Sequence, residues 1–326
     1  MKQFRIFGYK FIFDKRLEGI KVKIRWPQFL RNLEILIIIK DGLRQFYNKY
    51  FISDEKAISK RFKQKLGRNL NLDNPTKYND KIQWLKLYWR DPLAPTCVDK
   101  YAVRNFIKEK IGDKYLNDLI EVYDSVDEID LSQLPKSFVL KGTHGSGYNI
   151  ICKNKNDMIW KNEFKKMRRW MRNNYYLKTR EWVYKDVKPR IICEKYLEEK
   201  ESGELKDYKI FCFNGEPRII QVDIGRYTDH KRNYYDLDWN FLNIEIDGAS
   251  DPNVKIPAPG NLEEMLELSR ILSKEFPHVR VDFYNVDGKM IFGELTFFHG
   301  DGLYEFNPPE FEKEMGDWIR LPMKTK

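Results

Sequence analysis

Residues 278–302, HVRVDFYNVDGKMIFGELTFFHGDG, read as two apolar strands joined at Asp287-Gly288, and each strand carries an acidic side chain in its middle. Asp282 lies between Val281 and Phe283, and Glu294 between Gly293 and Leu295. A carboxylate inside a strand is costly to bury unless it is paired or bound to a cation. Two that face each other point to a hard divalent ion, typically Mg2+ beside a phosphate. Turn length decides whether they face. A two-residue loop sets Asp282 opposite Gly293 and turns Glu294 to the other face. A three-residue loop, Val286-Asp287-Gly288 with Gly288 left-handed, sets Asp282 opposite Phe292 and makes Glu294 a diagonal neighbour on the same face. The cation site therefore requires the bulged turn, and strand alternation adds Arg280 and Thr296 to that face. The competing reading is a solvated sheet face with scattered charges.

At 326 residues the chain is long enough for one large or two modest domains. Lys and Arg number 59 against 49 Asp and Glu, a net charge of +10. That balance favours phosphorylated or polyanionic partners, and equally suits work beside an anionic membrane. Cys97, Cys152, Cys193 and Cys212 show no CxxC pairing and read as reduced core residues of a cytoplasmic protein. His144, His230, His278 and His299 share no ligand spacing with them, which argues against zinc. No cleavable signal is evident at the start. The run Ile35–Ile39 is far short of the roughly 20 residues a bilayer span needs. Residues 1–50 mix Lys and Arg with Phe, Tyr, Trp and Ile. They read either as a helical cap or as an interfacial helix touching anionic lipid at the inner face of the cell membrane. No nucleic-acid partner is expected, since neither an RNA-binding aromatic signature nor helix-turn-helix spacing stands out.

Apolar spacing predicts helices over 54–66, 77–89 and 98–111, the last started by Asp99 and ended at Gly112. After Pro135 strands dominate, at 137–141, 148–153, 190–197, 207–213 and 217–224, with Asn214-Gly215 as a tight hairpin. Further helices fall at 157–173 and 261–275. Antiparallel hairpins mixed with helices argue an α+β fold. The expected division is a basic amphipathic segment 1–52, a helical region 53–135, a glycine-loop subdomain 136–198 and a metal-hairpin subdomain 199–326.

Residues 138–150, FVLKGTHGSGYNI, are strand, glycine-rich loop, strand. Backbone amides in such a loop approach an anion closely and bind phosphate, and Lys141 would reach the same phosphates as a point charge. The loop is not a Walker motif, since GxxxxGK[ST] is absent and a strand follows. An ordinary glycine hairpin with a stray lysine is the alternative.

DKYAVRNFI at 99–107, LPKSFVLKGTHGSG at 134–147, DYKIFCFNGEP at 207–217 and RVDFYNVDGKMIFGELTFFHGDG at 280–302 together resemble the TupA-like ATP-grasp family, over about residues 50–322. Members are associated with teichuronopeptide and other surface-polysaccharide synthesis and are often labelled glycosyltransferases. The resemblance implies an ATP-grasp fold, two α+β subdomains clasping ATP behind a helical N-terminal region, with ATP and Mg2+ as cofactors. It implies a carboxylate–amine ligase that forms an acyl phosphate and joins an amino acid or amine to a uronic-acid-type carboxylate, on a glycan or a nucleotide-linked uronate.

By the same resemblance Lys141 would hold the α/β phosphates, under a lid of Thr143, Gly145, Ser146 and Gly147. Glu194 or Lys195 would contact adenine, with Leu197 packed on it. Lys100 matches a lysine near the nucleotide, or is a solvated helix lysine. Asp207 and Lys209 would face the cleft, Lys209 neutralising the γ-phosphate. Asp282 and Glu294 would bind Mg2+. Thr296 departs from the superfamily, where an Asn commonly stands; its lone hydroxyl puts a two-metal site in doubt and leaves one Mg2+. Arg280 and Arg226 are candidates to grip the acyl phosphate or the acceptor carboxylate. His299 would receive the amine's proton, or is a polar loop residue, and His144 carries the same ambiguity.

Three rivals remain. A nucleotide-sugar glycosyltransferase would use the triplet Asp236-Leu237-Asp238 on a metal-diphosphate. A sugar kinase would use the same ATP machinery. A polyanion-binding module would leave the strand-embedded Asp282 and Glu294 unexplained.

Overall fold

The computed structural model describes residues 2–6, 9–16, 19–23, 34–199, 205–224, 230–246 and 248–325. The chain divides into two units, residues 1–53 and 54–326. The first holds an antiparallel meander of β1 (Lys2–Ile6), β2 (Tyr9–Arg16) and β3 (Gly19–Lys23), followed by helix α1 (Glu34–Tyr50). The strands differ from the helix expected for the first fifty residues. Their sequences, KQFRI, YKFIFDKR and GIKVK, largely alternate apolar with polar residues, which is the strand period of two. On α1, Ile38, Ile39, Leu43, Phe46 and Tyr50 are exposed.

The second unit opens with helices α2 (Asp54–Leu66), α3 (Tyr78–Tyr88), α4 (Ala94–Val98) and α5 (Val103–Lys110). The helix expected from 98 to 111 is broken. Asp99 Oδ1 accepts from the backbone N–H of Tyr101 (2.9 Å) and Ala102 (3.3 Å), so a turn separates α4 from α5 and carries Lys100. A strand follows inside the stretch expected to be helical, β4 (Leu119–Tyr123).

Then come β5 (Phe138–Gly142), β6 (Asn149–Cys152), α6 (Trp160–Arg172), α7 (Tyr176–Thr179) and β7 (Ile191–Lys195). These strands form an antiparallel sheet in the order β4-β7-β5-β6. Phe138, Leu140, Ile191 and Cys193 are fully buried in a small core with Met167 of α6, and Phe138 stacks on Trp160 with centroids 5.7 Å apart.

The remaining elements are β8 (Lys206–Phe213), β9 (Glu216–Ile224), β10 (Lys231–Tyr235), β11 (Phe241–Leu242), α8 (Leu262–Ser273), β12 (His278–Val286), β13 (Lys289–Thr296) and α9 (Glu310–Trp318). Their sheet runs β11-β10-β9-β8-β12-β13, also antiparallel. Helix α8 buries Met265, Leu266, Leu268 and Leu272, one apolar stripe, in the main core with Ile210, Ile220 and Val279 of the sheet. Its first turn carries Glu263 and Glu264, the favoured sign at a helix N-terminus. The four cysteines are buried and free.

Candidate active site

The turn joining β12 to β13 is the two-residue form: Val286 pairs with Lys289, and Asp287 and Gly288 both take positive φ, 51° and 80°. The expected three-residue bulged turn is therefore incorrect. The irregularity sits six residues further on. Phe283 pairs with Phe292 but Asp282 pairs with Glu294, leaving Gly293 as an extra residue. This bulge moves Glu294 to the face of Asp282 and directly opposite it. A Cβ on Gly293 would lie 3.0 Å from the Asp282 carbonyl oxygen, so the close approach favours glycine.

Arg280 and Thr296, paired in the same register, complete the cluster. Arg280 Nε and Nη2 donate to the two oxygens of Asp282 at 2.7 and 2.6 Å, and Nη2 lies 3.4 Å from Glu294 Oε1 and 3.3 Å from Thr296 Oγ1. The Thr296 hydroxyl donates to Glu294 at 3.2 Å. Burial pushes the Asp282 carboxyl upward, and Arg280 and Lys209 pull against it. Burial also works to raise Glu294, but Lys100, Arg280 and Lys209 outweigh it and hold the carboxyl down at about 2.

Strand register extends the polar row across the sheet. Lys209 on β8 stands between Asp282 on β12 and Gln221 on β9, and Asp207 pairs with Asp223. The Lys209 ammonium bonds to Asp207 and lies 2.9 Å from Asp223. Burial works against its charge, yet Asp207, Asp282 and Asp223 together keep it above the usual lysine range. Gln221 Nε2 donates to Asp223 at 2.7 Å, while its buried Oε1 has no hydrogen-bond partner among the described residues. Asp223, Gln221, Arg232 and Tyr284 were not foreseen as site residues, although they line this cleft with Asp207, Lys209, Arg280, Asp282 and Glu294. Their signal was present: Gln221 and Asp223 interrupt IIQVDI at strand spacing, as Asp282 interrupts its own strand.

The glycine-rich loop closes the cleft, which encloses about 270 Å3. Lys141, Ser146 and Gly147 line it, as does Lys100. Lys100 Nζ donates to the Gly145 carbonyl at 3.0 Å and lies 3.6 Å from Glu294, so it ties the loop to the metal strand and is not a solvated helix lysine. Gly145 itself makes room for aromatic packing, since a Cβ there would come within 2.9 Å of Tyr148 and Tyr175. Thr143 does not line the cleft: it is fully buried and donates from Oγ1 to the Lys188 carbonyl (3.3 Å). His144 is buried too, its Nε2 2.9 Å from the Trp170 carbonyl, so it braces α6.

Glu194 is held between Lys141 Nζ (2.7 Å) and Arg104 Nη1 (3.3 Å) and lines a small side pocket with Phe292 and Gly293. Lys195 points to the other face of β7 and pairs with Asp118 (3.0 Å), away from the cleft. Leu197 is partly buried outside these pocket linings. Arg226 lies outside the described residues.

A second cavity of about 360 Å3 adjoins the first, sharing Ser146, Arg280, Glu294 and His299 as walls. Arg61, Lys65 and Lys178 add cations to it, and Tyr175, Tyr184, Phe298 and Tyr304 add aromatic rings. His299 is buried between the two, with Arg280 Nη1 2.5 Å from its Nδ1. A guanidinium has donors only, so Nδ1 accepts and the ring proton sits on Nε2. Burial and the Arg280 charge hold the imidazole neutral, well below its ordinary range. The expectation that His299 receives a proton is corrected: it offers an N–H donor.

The triplet at 236–238 serves a turn. Asp236 Oδ1 accepts from the backbone N–H of Asp238 (3.0 Å) and Asn240 (2.7 Å), and Oδ2 accepts from the Asn240 side chain (2.9 Å). Neither aspartate lines either cavity.

Among the described residues no group of three or more His, Cys, Asp or Glu is arranged to hold a metal. A pair of carboxylates is nevertheless what Mg2+ ordinarily takes from a protein, the rest of its octahedron coming from phosphate oxygens and water. Asp282 and Glu294 fit that demand, and Lys100, Lys141 and Lys209 supply the positive charge that a polyphosphate requires.

No curated protein matches the chain. Solved structures that resemble it include D-alanine–D-alanine ligase from Bacillus anthracis complexed with ATP, at 14% identity and TM-score 0.43 over 82% of this chain and 92% of that one. The Helicobacter pylori D-alanine–D-alanine ligase gives 14% and 0.39 over 77% and 68%. The Bacillus licheniformis L-amino acid ligase gives 12% and 0.37 over 65% and 44%. The family model for TupA-like ATPgrasp matches residues 80–320, most of the chain and all of the site just described except Arg61 and Lys65 of α2. This chain therefore belongs to the TupA-like ATP-grasp family.

Proposed function

We propose that this protein is an ATP- and Mg2+-dependent carboxylate–amine ligase, which activates a uronic-acid-type carboxylate as its acyl phosphate and joins it to an amino acid or amine, in the synthesis of a cell-surface polysaccharide. The observation that carries the reading is the adjacency of two chemically different cavities. One is lined by Lys100, Lys141, Lys209, Asp282 and Glu294, the other by Arg61, Lys65, Lys178 and four aromatic rings, and Arg280 and Glu294 stand in the wall between them. The cationic lining suits an acidic glycan, and the rings offer apolar surface to its sugar.

In this reading Lys141 and Lys100 hold the nucleotide phosphates under the Ser146–Gly147 loop, and Glu194 orients Lys141 through their 2.7 Å pair. Mg2+ held by Asp282 and Glu294 would neutralise charge on the phosphate oxygens. Lys209 takes up charge at the transferring phosphoryl group. Arg280, fixed by Asp282, and the Nε2–H of His299 present positive charge and a donor where the acyl phosphate forms. Positioning and electrostatics suffice, without a covalent nucleophile.

No helix among the described residues is long and apolar enough to cross a membrane. The exposed Ile38, Ile39, Leu43 and Phe46, beside Lys40 and Arg44, support a peripheral site at the anionic inner face of the membrane, with the enzyme itself cytoplasmic.

Hydroxylamine trapping tests the activity. ATP–Mg2+ with D-glucuronate, D-galacturonate or L-glutamate should give ADP and a hydroxamate. ADP release with neutral sugars and no hydroxamate would replace the ligase with the sugar kinase.

A further inference from the structure

The second cavity contains a carboxylate that the phosphate chemistry leaves unused. Glu181 follows Arg180, whose φ of 61° ends α7, and this reversal sets Glu181 into the protein with 7% of its surface exposed. It lines the cavity that adjoins the phosphate cleft. Its neighbours come from every side: Lys86 of α3, Arg61 and Lys65 of α2, Tyr175 and Lys178 around α7, Tyr184, and His299, Asp301 and Tyr304 of the segment after β13.

The other candidates for receiving a proton in that space are already committed. Asp301 bonds to the Lys86 ammonium and pairs with Arg61 at 2.5 Å. His299 presents its Nε2–H. Glu294 belongs to the cation pair and stays ionised. Glu181 has no ion pair within 4.0 Å among the described residues, only a hydrogen bond with Thr179. Burial pushes its carboxyl up to about 8, Lys86 and Arg61 pulling against that and Asp301 adding to it. A carboxyl so placed exchanges a proton with an ammonium group near neutral pH.

We propose that Glu181 is the proton acceptor for the second substrate, an amine that enters this cavity as its ammonium ion. The inference rests on the carboxylate–amine ligase reading. The ammonium gives one proton to the Glu181 carboxylate. The freed nitrogen lone pair forms a bond to the acyl carbon, and the bond from that carbon to the phosphate oxygen breaks with its electron pair on the oxygen. The second proton leaves the nitrogen with the phosphate, which departs as hydrogen phosphate. One amide, one phosphate and one protonated Glu181 result, and Glu181 returns its proton to solvent.

The test compares nucleophiles. Hydroxylamine is neutral at pH 7.5 and needs no proton acceptor, whereas glycine, L-lysine and ethanolamine arrive as ammonium ions. ADP release is measured with ATP–Mg2+ and the carboxylate that hydroxylamine trapping identifies, for wild type, Glu181→Gln and Glu181→Asp. In Glu181→Gln the amine-dependent rate should fall about a hundredfold or more relative to the hydroxylamine-dependent rate. The wild-type amine rate should climb with pH as Glu181 ionises; Glu181→Gln should lose that climb and Glu181→Asp should keep it at a lower rate. Equal falls with both nucleophiles, or a fall with neither, would overturn the assignment. Wild type that releases no ADP with hydroxylamine and any of the carboxylates would defeat the ligase reading itself, and the role of Glu181 with it, an outcome visible without either variant.

Discussion

Asp282 stands directly opposite Glu294 across β12 and β13 only because Gly293 is one residue too many for its strand. Without that bulge the two-residue turn would leave Asp282 facing Gly293 and would send Glu294 to the opposite face of the sheet. Removing both carboxylates as Asp282→Asn with Glu294→Gln should therefore lower ATP turnover by about a hundredfold or more while the fold persists. Turnover assays beside circular dichroism check this, and retained turnover would remove the pair from the cation site.

Lys141 is poised at the mouth of the phosphate cleft by its 2.7 Å pair with Glu194. Lys141→Ala should weaken ATP–Mg2+ binding by about ten- to a hundredfold, the loss of one charge-assisted contact worth about 1.5–3 kcal/mol. Calorimetry reads the affinity, and an unchanged value would reassign the glycine-rich loop.

His278 is buried with Nδ1 2.8 Å from the Phe297 carbonyl and Nε2 3.1 Å from the Tyr78 hydroxyl. The carbonyl can only accept, so Nδ1 carries the proton and Nε2 accepts from Tyr78. Burial lowers its pKa from 6.5 to about 4. The unfolded chain binds this proton below about pH 6.5 and the native protein only below about pH 4, so stability rises with pH across that window. The contribution is complete above pH 6.5 and is lost as pH falls toward 4, amounting to roughly 3 kcal/mol. Urea unfolding at pH 4.5 and 7.5 should show a smaller difference for His278→Gln than for wild type.

Phe138 is fully buried and stacks on Trp160. Phe138→Ala should cost about 3–5 kcal/mol, measured by chemical denaturation, because the cavity it leaves cannot collapse between the sheet and α6.

Peripheral membrane contact through α1 predicts co-sedimentation of the full chain with phosphatidylglycerol vesicles and little with phosphatidylcholine. Leu43→Glu with Phe46→Glu should abolish it. Equal recovery with both lipids, or an unaffected variant, would end that reading.

Much of the fold was legible because the polar residues of its strands recur with the period of the pleat. Asp282 and Glu294 announced themselves as charges embedded in apolar runs, Lys209 came from the family resemblance, and Asp223 carried the same mark as the two acids without being read. The strand β4 hid in LIEVY, five residues among helices, where a short run cannot by itself be told from a helix segment. Lys195 looked equivalent to Glu194 by proximity, and only the alternation of β7 separated them. Glu181 gave no signal at all, since a glutamate beside a tryptophan after a short helix looks like surface until the chain closes around it.

The sequence by itself determined the family, the α+β composition and the acidic residues of the hairpin, because turn residues, strand periodicity and motif order are local properties of the chain. Tertiary structure alone decided what those residues do. The register shift at Gly293 is set by packing both faces of the hairpin, the tautomer of His299 is set by an arginine nineteen residues away, and the basicity of Glu181 is set by burial among four separate segments. Each depends on which groups are brought within a few ångströms and cut off from water, and that is a property of the folded chain.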